Sequence, residues 1–150
     1  MALKNYAFAN VNASIVGPNA AFSMGFGSGL DDGGISVEFA EPRVGMKAGA
    51  DGQAMVSFYS QTLGKIIIRV QKTAPVNALL SAMFAADSAD PTQVGQNTIL
   101  VSDLALVDLC AGKQCAIEKH PNIVYGKEGP MNEWTFLVGQ LRVLLGGGGI

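Results

Sequence analysis

The chain has 150 residues, 49 % of them hydrophobic and only 15 % charged, with a formal net charge of −2. A single core fits that length, the acidic balance gives no basic footprint for holding nucleic acid, and no apolar run approaches the roughly 20 residues of a membrane span. The charge deficit against the usual share of about a quarter points to a protein that buries surface against other copies.

The start, MALKNYAFANVN, lacks the basic and apolar regions of a signal peptide. Tyr6 and Phe8 alternate in the opposite phase to Val11, so a bulge or a change of strand partner is expected near Asn10. Val11, Ala13 and Ile15 alternate with polar residues, VGPNA follows, and Phe22, Met24 and Phe26 alternate again: a hairpin. GFGSGLDDGG (25–34) reads as a loop. It lacks the G-x-G-x-x-G spacing and the following helix that a phosphate loop needs, and the adjacent Asp31 and Asp32 read as solvated charges.

GISVEFA places Ile35, Val37 and Phe39 on one face of a strand, with Ser36 and Glu38 on the other. EPRVGMKAGADGQ (41–53) carries no core pattern and reads as a long connection. QAMVSFYS is a further strand, and GKIIIRVQ another, with Ile66, Ile68 and Val70 opposite Lys65, Ile67, Arg69 and Gln71. That second face is half apolar, so cover on both sides is expected. In KTAPVNALLSAMF, Val76, Leu79, Leu80, Met83 and Phe84 form a helical stripe, with Thr73 as N-cap and Pro75 in the first turn. The helix is expected over about 75–86, closed by DSADP.

Beyond it, NTILVSDLALVDL, QCAIE, NIVYG and NEWTFLV read as strands, LCAGKQCA as a hairpin, and GQLRVLL as either a strand or a short helix. Trp134, Phe136 and Val138 share a phase and read as core; GGGG begins a flexible tail over 146–150. With eight or nine short strands and one helix, the expected fold is mainly β: an antiparallel β-sandwich or incomplete barrel with one packed α-helix, in a single domain over 1–150.

The chemistry is sparse. Cys110 and Cys115 are the two cysteines and His120 the lone histidine, short of the four ligands of a structural zinc site. The thiols read as reduced cross-strand neighbours and His120 as an exposed residue before Pro121. Scattered carboxylates show no catalytic spacing. No catalytic, cofactor or metal residue is nominated and no enzyme is expected; a small β-sandwich hydrolase is the alternative from another class.

VNASIVGP (11–18), GADGQAMVS (49–57), LLSAM within the helix, VGQNTILVSD (94–103) and YGKEGPMNEWTF (125–136) together resemble the tail tube proteins of contractile-tailed bacteriophages. The resemblance runs in order from about residue 6 to 145. It implies a hexameric ring of β-sandwich subunits, stacked into a tube inside a sheath and assembled in the host bacterial cytoplasm as part of the virion tail. The implied partners are the sheath, tape-measure, baseplate and tail terminator proteins, with double-stranded DNA passing through; no cofactor is implied. A terminator, a baseplate hub or the inner tube of a contractile injection system would share the fold. On this basis Ser36, Glu38, Gln53, Ser57, Tyr59, Lys65, Arg69 and Gln71 are candidate lumen residues. Glu41, Arg43, Met46, Lys47 and Asp51 are candidates for a loop reaching another subunit or ring.

Overall fold

The computed structural model describes residues 11–18, 21–23, 30–103 and 107–146, with side chains of 30–33 left aside. Strands β1 (Val11–Val16), β2 (Ala21–Ser23) and β3 (Leu30–Phe39) come first, then β4 (Val44–Ala48), β5 (Ala54–Phe58) and β6 (Gly64–Gln71). Helix α1 (Val76–Ala89) follows, and β7 (Asn97–Asp103), β8 (Asp108–Ile117) and β9 (Met131–Leu144) complete the order.

Seven strands form one antiparallel sheet in the order β2-β1-β7-β8-β9-β6-β3, and β4 with β5 form a separate ribbon. Four strands stand between β1 and β3 in that order, yet Val11 of β1 and Ile35 and Val37 of β3 line one small cavity. The sheet is therefore rolled without closing, which is the incomplete-barrel form of the expected architecture. Inside the roll, Ala13 and Ile15, Ile66, Ile68 and Val70, Ile99, and Trp134, Phe136 and Val138 make a continuous core. The alternation read from these segments is the alternation observed.

Helix α1 packs on that inner side through Val76, Leu80 and Met83. The predicted stripe needs correcting at its margins. Leu79 is 45 % exposed and Phe84 only half-buried, because the line facing the sheet runs through positions 76, 80, 83 and 87. Thr73 is not the N-cap either. Pro75 occupies that place in helical conformation with no side-chain cap, since a turn closed by Ala74 N–H to Gln71 C=O already delivers helical backbone. The helix also runs on to Ala89, past the expected end; Asp90 closes it in extended conformation and caps the following single 3-10 turn, accepting from Thr92 N–H.

Other expectations change. Residues 30–34, read as loop, begin β3; Gly34 takes φ 65° beside a register shift against β6, which is the geometry of a bulge. Residues 41–53 are not a plain connection but contain β4 and its turn. LCAGKQCA is not a hairpin: β8 runs through both cysteines, and Gln114 at φ 57° marks an irregularity instead. NIVYG lies in no strand and is exposed. GQLRVLL continues β9 as strand. The segment around Tyr6, Phe8 and Asn10, the positions Met24 and Phe26, and the tail beyond 146 lie outside the described residues.

β8 and β9 reset their phase together. Gly112 and Cys115 both face the core though three apart, as do Val138 and Leu141 opposite them. The reset is housed at Gln114 and Gly139: a Cβ on Gly139 would come within 2.6 Å of Gln114 Oε1. Glycine is required there because the Gln114 side chain lies across it.

Candidate assembly surfaces

The described residues hold no grouping of three or more His, Cys, Asp or Glu side chains that could bind a metal. Cys110 and Cys115 are free thiols on one strand, not cross-strand neighbours as expected. Burial raises both pKa values: Cys115 is pushed up to about 11, and Cys110 is raised by burial and then by the Asp108 carboxylate. Both are thus poor nucleophiles. His120 is exposed, as read, but its ring packs edge-on to Phe84 at 4.7 Å and tilts against Trp134 at 5.6 Å, closing the end of the helix–sheet layer.

The face of the sheet turned away from α1 carries four of the candidate lumen residues together. Ser36 and Glu38 on β3 sit opposite Ile67 and Lys65 on β6, which in turn oppose Thr135 and Leu137 on β9. Arg69 joins the three strands, donating from Nε to Glu133 at 3.2 Å and from Nη1 to Ser36 Oγ at 2.9 Å. Opposite charges facing each other across a ladder are mildly stabilising: Glu38 against Lys65 and Arg69 against Glu133 leave this region near neutral. Lys65, Ile67 and Arg69 are half-buried, flanked in the sheet by β3 and β9. Gln71 lies at the far end of β6 opposite Met131. Gln53, Ser57 and Tyr59 do not belong to this face; they sit on or beside the separate ribbon.

That ribbon is the most unusual surface of the molecule. β4 and β5 are inserted between β3 and β6, whose ladder ends at Phe39 opposite Gly64 and is continued by Ala40 N–H to Leu63 C=O. The chain then leaves as an arm, pinned at its base by Tyr59 N–H to Arg43 C=O and by Arg43 Nε–H to Tyr59 C=O. Its tip is a tight turn in which Gly52 adopts φ 85° and Asp51 accepts from Gln53 N–H. Val44 pairs with Phe58, Met46 with Val56 and Ala48 with Ala54, so one whole face is apolar. Val44, Met46, Met55, Val56, Phe58 and Tyr59 are between 48 % and 73 % exposed. An isolated two-stranded ribbon is marginal in water, and a contiguous apolar patch on a soluble chain marks an interaction surface.

Sequence reasoning named Arg43, Met46, Lys47 and Asp51 in this segment but missed Val44, Val56 and Phe58. The period-2 pairing of 44–48 with 54–58 around Asp51-Gly52 was the signal available. Of the remaining nominated loop residue, Glu41, the structure shows an exposed position at the arm's base, beside Phe58 and Tyr59. Sheet edges add a second surface. Among the described residues β2 and β3 are the outermost strands, and an outer strand offers unpaired N–H and C=O groups to another chain.

A rolled antiparallel sheet with one helix inside, an exposed apolar arm and two outermost strands defines a protein built to pack against other chains. A family model described as the bacteriophage PhiTE tail tube protein matches residues 3–146. The chain belongs to that family, and is a structural protein of the virion tail. A search of curated protein sequences returns no match.

Solved structures agree on the fold. A chain of the anti-feeding prophage baseplate, determined by cryo-EM with six-fold symmetrisation, aligns with TM-score 0.60 at 10 % identity over 96 % of this chain and 97 % of that one. A chain of the sheath–tube complex of an extracellular contractile injection system in the extended state gives 0.59 at 10 %, over 94 % and 92 %. A chain from the sheath/tube terminator of such a system gives 0.57 at 13 %, over 95 % and 99 %. Among the described residues, no helix is long and apolar enough to cross a membrane.

Proposed function

We propose that this protein forms hexameric rings that stack into the inner tube of a contractile tail, and that it works by assembly rather than by catalysis. The observation that carries this reading is the β4–β5 arm. Burying one of its large apolar side chains is worth about 1.5–3 kcal/mol, and the fold itself leaves the whole apolar face uncovered. A second copy is the partner always at hand in a self-assembling system. Closed rotational symmetry ends sideways growth through the sheet edges, while head-to-tail stacking leaves length open.

In this arrangement α1 points outward to the sheath, and the β3–β6–β9 part of the opposite face, with Ser36, Glu38, Lys65 and Arg69, lines the lumen. The pairing of its charges suits a channel through which double-stranded DNA slides, because unpaired cations would bind phosphates through counterion release. Gln53 and Ser57 travel with the arm and leave the lumenal set. Glu41, Arg43, Met46, Lys47 and Asp51 stay assigned to contacts with a neighbouring subunit or ring. The tape-measure protein would fill the lumen before DNA, and baseplate and terminator proteins would cap the ends.

A second reading is a ring-capping part of the same machine, favoured by the structural likeness to baseplate and terminator chains. Electron microscopy of the purified protein beside size-exclusion chromatography separates the two: long hollow tubes support the tube, and single rings that never stack support the cap. Independently, charge reversal at Glu38 should disturb DNA delivery. A Glu38→Lys tail that assembles and delivers DNA normally would remove Glu38 from the lumen.

A further inference from the structure

A groove lies where the arm leaves the sheet. It encloses about 740 Å³, open along one side, and its walls include Phe39, Arg43, Leu109, Lys113, Arg142 and Leu144. Leu109 faces Leu144 across the β8–β9 ladder and Lys113 faces Gln140, so these side chains stand on the helix-free face of the sheet. Three cations line the groove, and no Asp or Glu does among the described residues. The contrast with the rest of that face is sharp. There Glu38 opposes Lys65 and Arg69 is bonded to Glu133, whereas Arg43, Lys113 and Arg142 have no carboxylate beside them in the groove.

We infer that this groove docks an acidic, partly apolar polypeptide segment of a partner chain. Charge complementarity selects the sign of the occupant: guanidinium groups pair with carboxylates in a bidentate fork, and two arginines with a lysine would take alternate acidic side chains of an extended segment. The Leu109, Leu144 and Phe39 side chains, each at least partly exposed, give intervening apolar side chains a place to sit. A nucleic acid uses the cations but not this apolar lining. The arm of a second copy is a poor occupant, because Glu41 and Asp51 are offset by its own Arg43 and Lys47 and it carries no net negative charge to match the groove. Arg43 is held ready, its Nε–H bonded to Tyr59 C=O and its guanidinium 4.9 Å from the centre of the Phe58 ring.

The test is fluorescence anisotropy of the full chain with a labelled peptide alternating glutamate and leucine, against its lysine–leucine counterpart and a short DNA duplex. The groove reading predicts saturable binding of the acidic peptide only, weakened by added salt. Lys113→Glu with Arg142→Glu should lower that affinity by about tenfold or more, while Lys127→Glu, exposed and outside the groove, should change it little. Both groove side chains are exposed, and an unchanged circular dichroism melt confirms that the double variant folds. Preferential binding of the duplex would overturn the proposal in favour of a phosphate groove. Equal binding by wild type and double variant, or no binding at all, would also overturn it. So would loss of self-association in the double variant without peptide binding, which would give the groove to a second copy. Tube formation by the arm is read separately, by microscopy of variants in the arm itself.

Discussion

The indole N–H of Trp134 donates to Asn77 Oδ1 at 2.9 Å, tying the first turn of α1 to the early part of β9. The same oxygen accepts from Asn132 Nδ2 at 3.1 Å, and Asn77 Nδ2 faces the carbonyls of Gln71, Lys72 and Ala74 at 2.8–3.2 Å. One amide thus holds the β6–α1 turn, the helix and the sheet together.

Replacing Asn77 with Ala strands the Trp134 and Asn132 donors and releases the turn. Leaving buried donors unpaired costs about 1–3 kcal/mol, so denaturant unfolding of Asn77→Ala should show a loss near the top of that range. Asn77→Asp keeps the acceptor but not the donor and should lie between.

Gly64 sets the approach of β3 to β6. A Cβ there would lie 2.6 Å from the Glu38 carbonyl oxygen and would also clash with Leu141 Cδ2. Gly64→Ala should therefore cost about 1–3 kcal/mol, the usual range for overpacking. A thermal melt unchanged from wild type would show that the ladder can shift freely at this point.

The arm should behave in the opposite way. Met46→Ser with Phe58→Ser removes exposed side chains, so unfolding of the unassembled chain should change by no more than about 0.5 kcal/mol. Assembly should fall sharply, read as the yield of sedimenting polymer. A variant that melts early but assembles normally would place these side chains in the subunit's own core.

The thiols give a pH prediction. Burial raises the folded pKa of Cys115 to about 11, above its value in the unfolded chain, so the protonated thiol is favoured by folding. Its contribution is intact below the unfolded pKa and is lost as pH rises towards 11. The slope of stability against pH in that window should be shallower in Cys115→Val than in wild type. At neutral pH, alkylation of folded Cys115 should be slower than that of the half-buried Cys110.

How much of this was legible in the sequence depends on whether a segment faces one core. β6 was readable to the residue because Ile66, Ile68 and Val70 answer a single buried side. Trp134, Phe136 and Val138 were readable for the same reason. The alternation then failed at Gly139 and Gln140, where β8 and β9 slip phase together, so GQLRVLL looked ambiguous and the Gly-Lys pair of β8 looked like a turn. Half of the arm was legible: QAMVSFYS read as a strand and is β5, whereas its partner β4 read as connection because no core in the subunit faces its apolar side. The groove was hidden altogether, since Arg43, Lys113 and Arg142 are far apart in sequence and only the fold assembles them.

The central claim is that the free arm is the element that builds a tube, and negative-stain microscopy of wild type beside Met46→Ser/Phe58→Ser tests it most directly. The account predicts six-fold rings stacked into hollow tubes for the wild type, with the variant left as unstacked rings or single chains of unchanged fold. Tubes of normal length from the variant, or a wild type that remains a single chain at every concentration and in the presence of baseplate proteins, would contradict it.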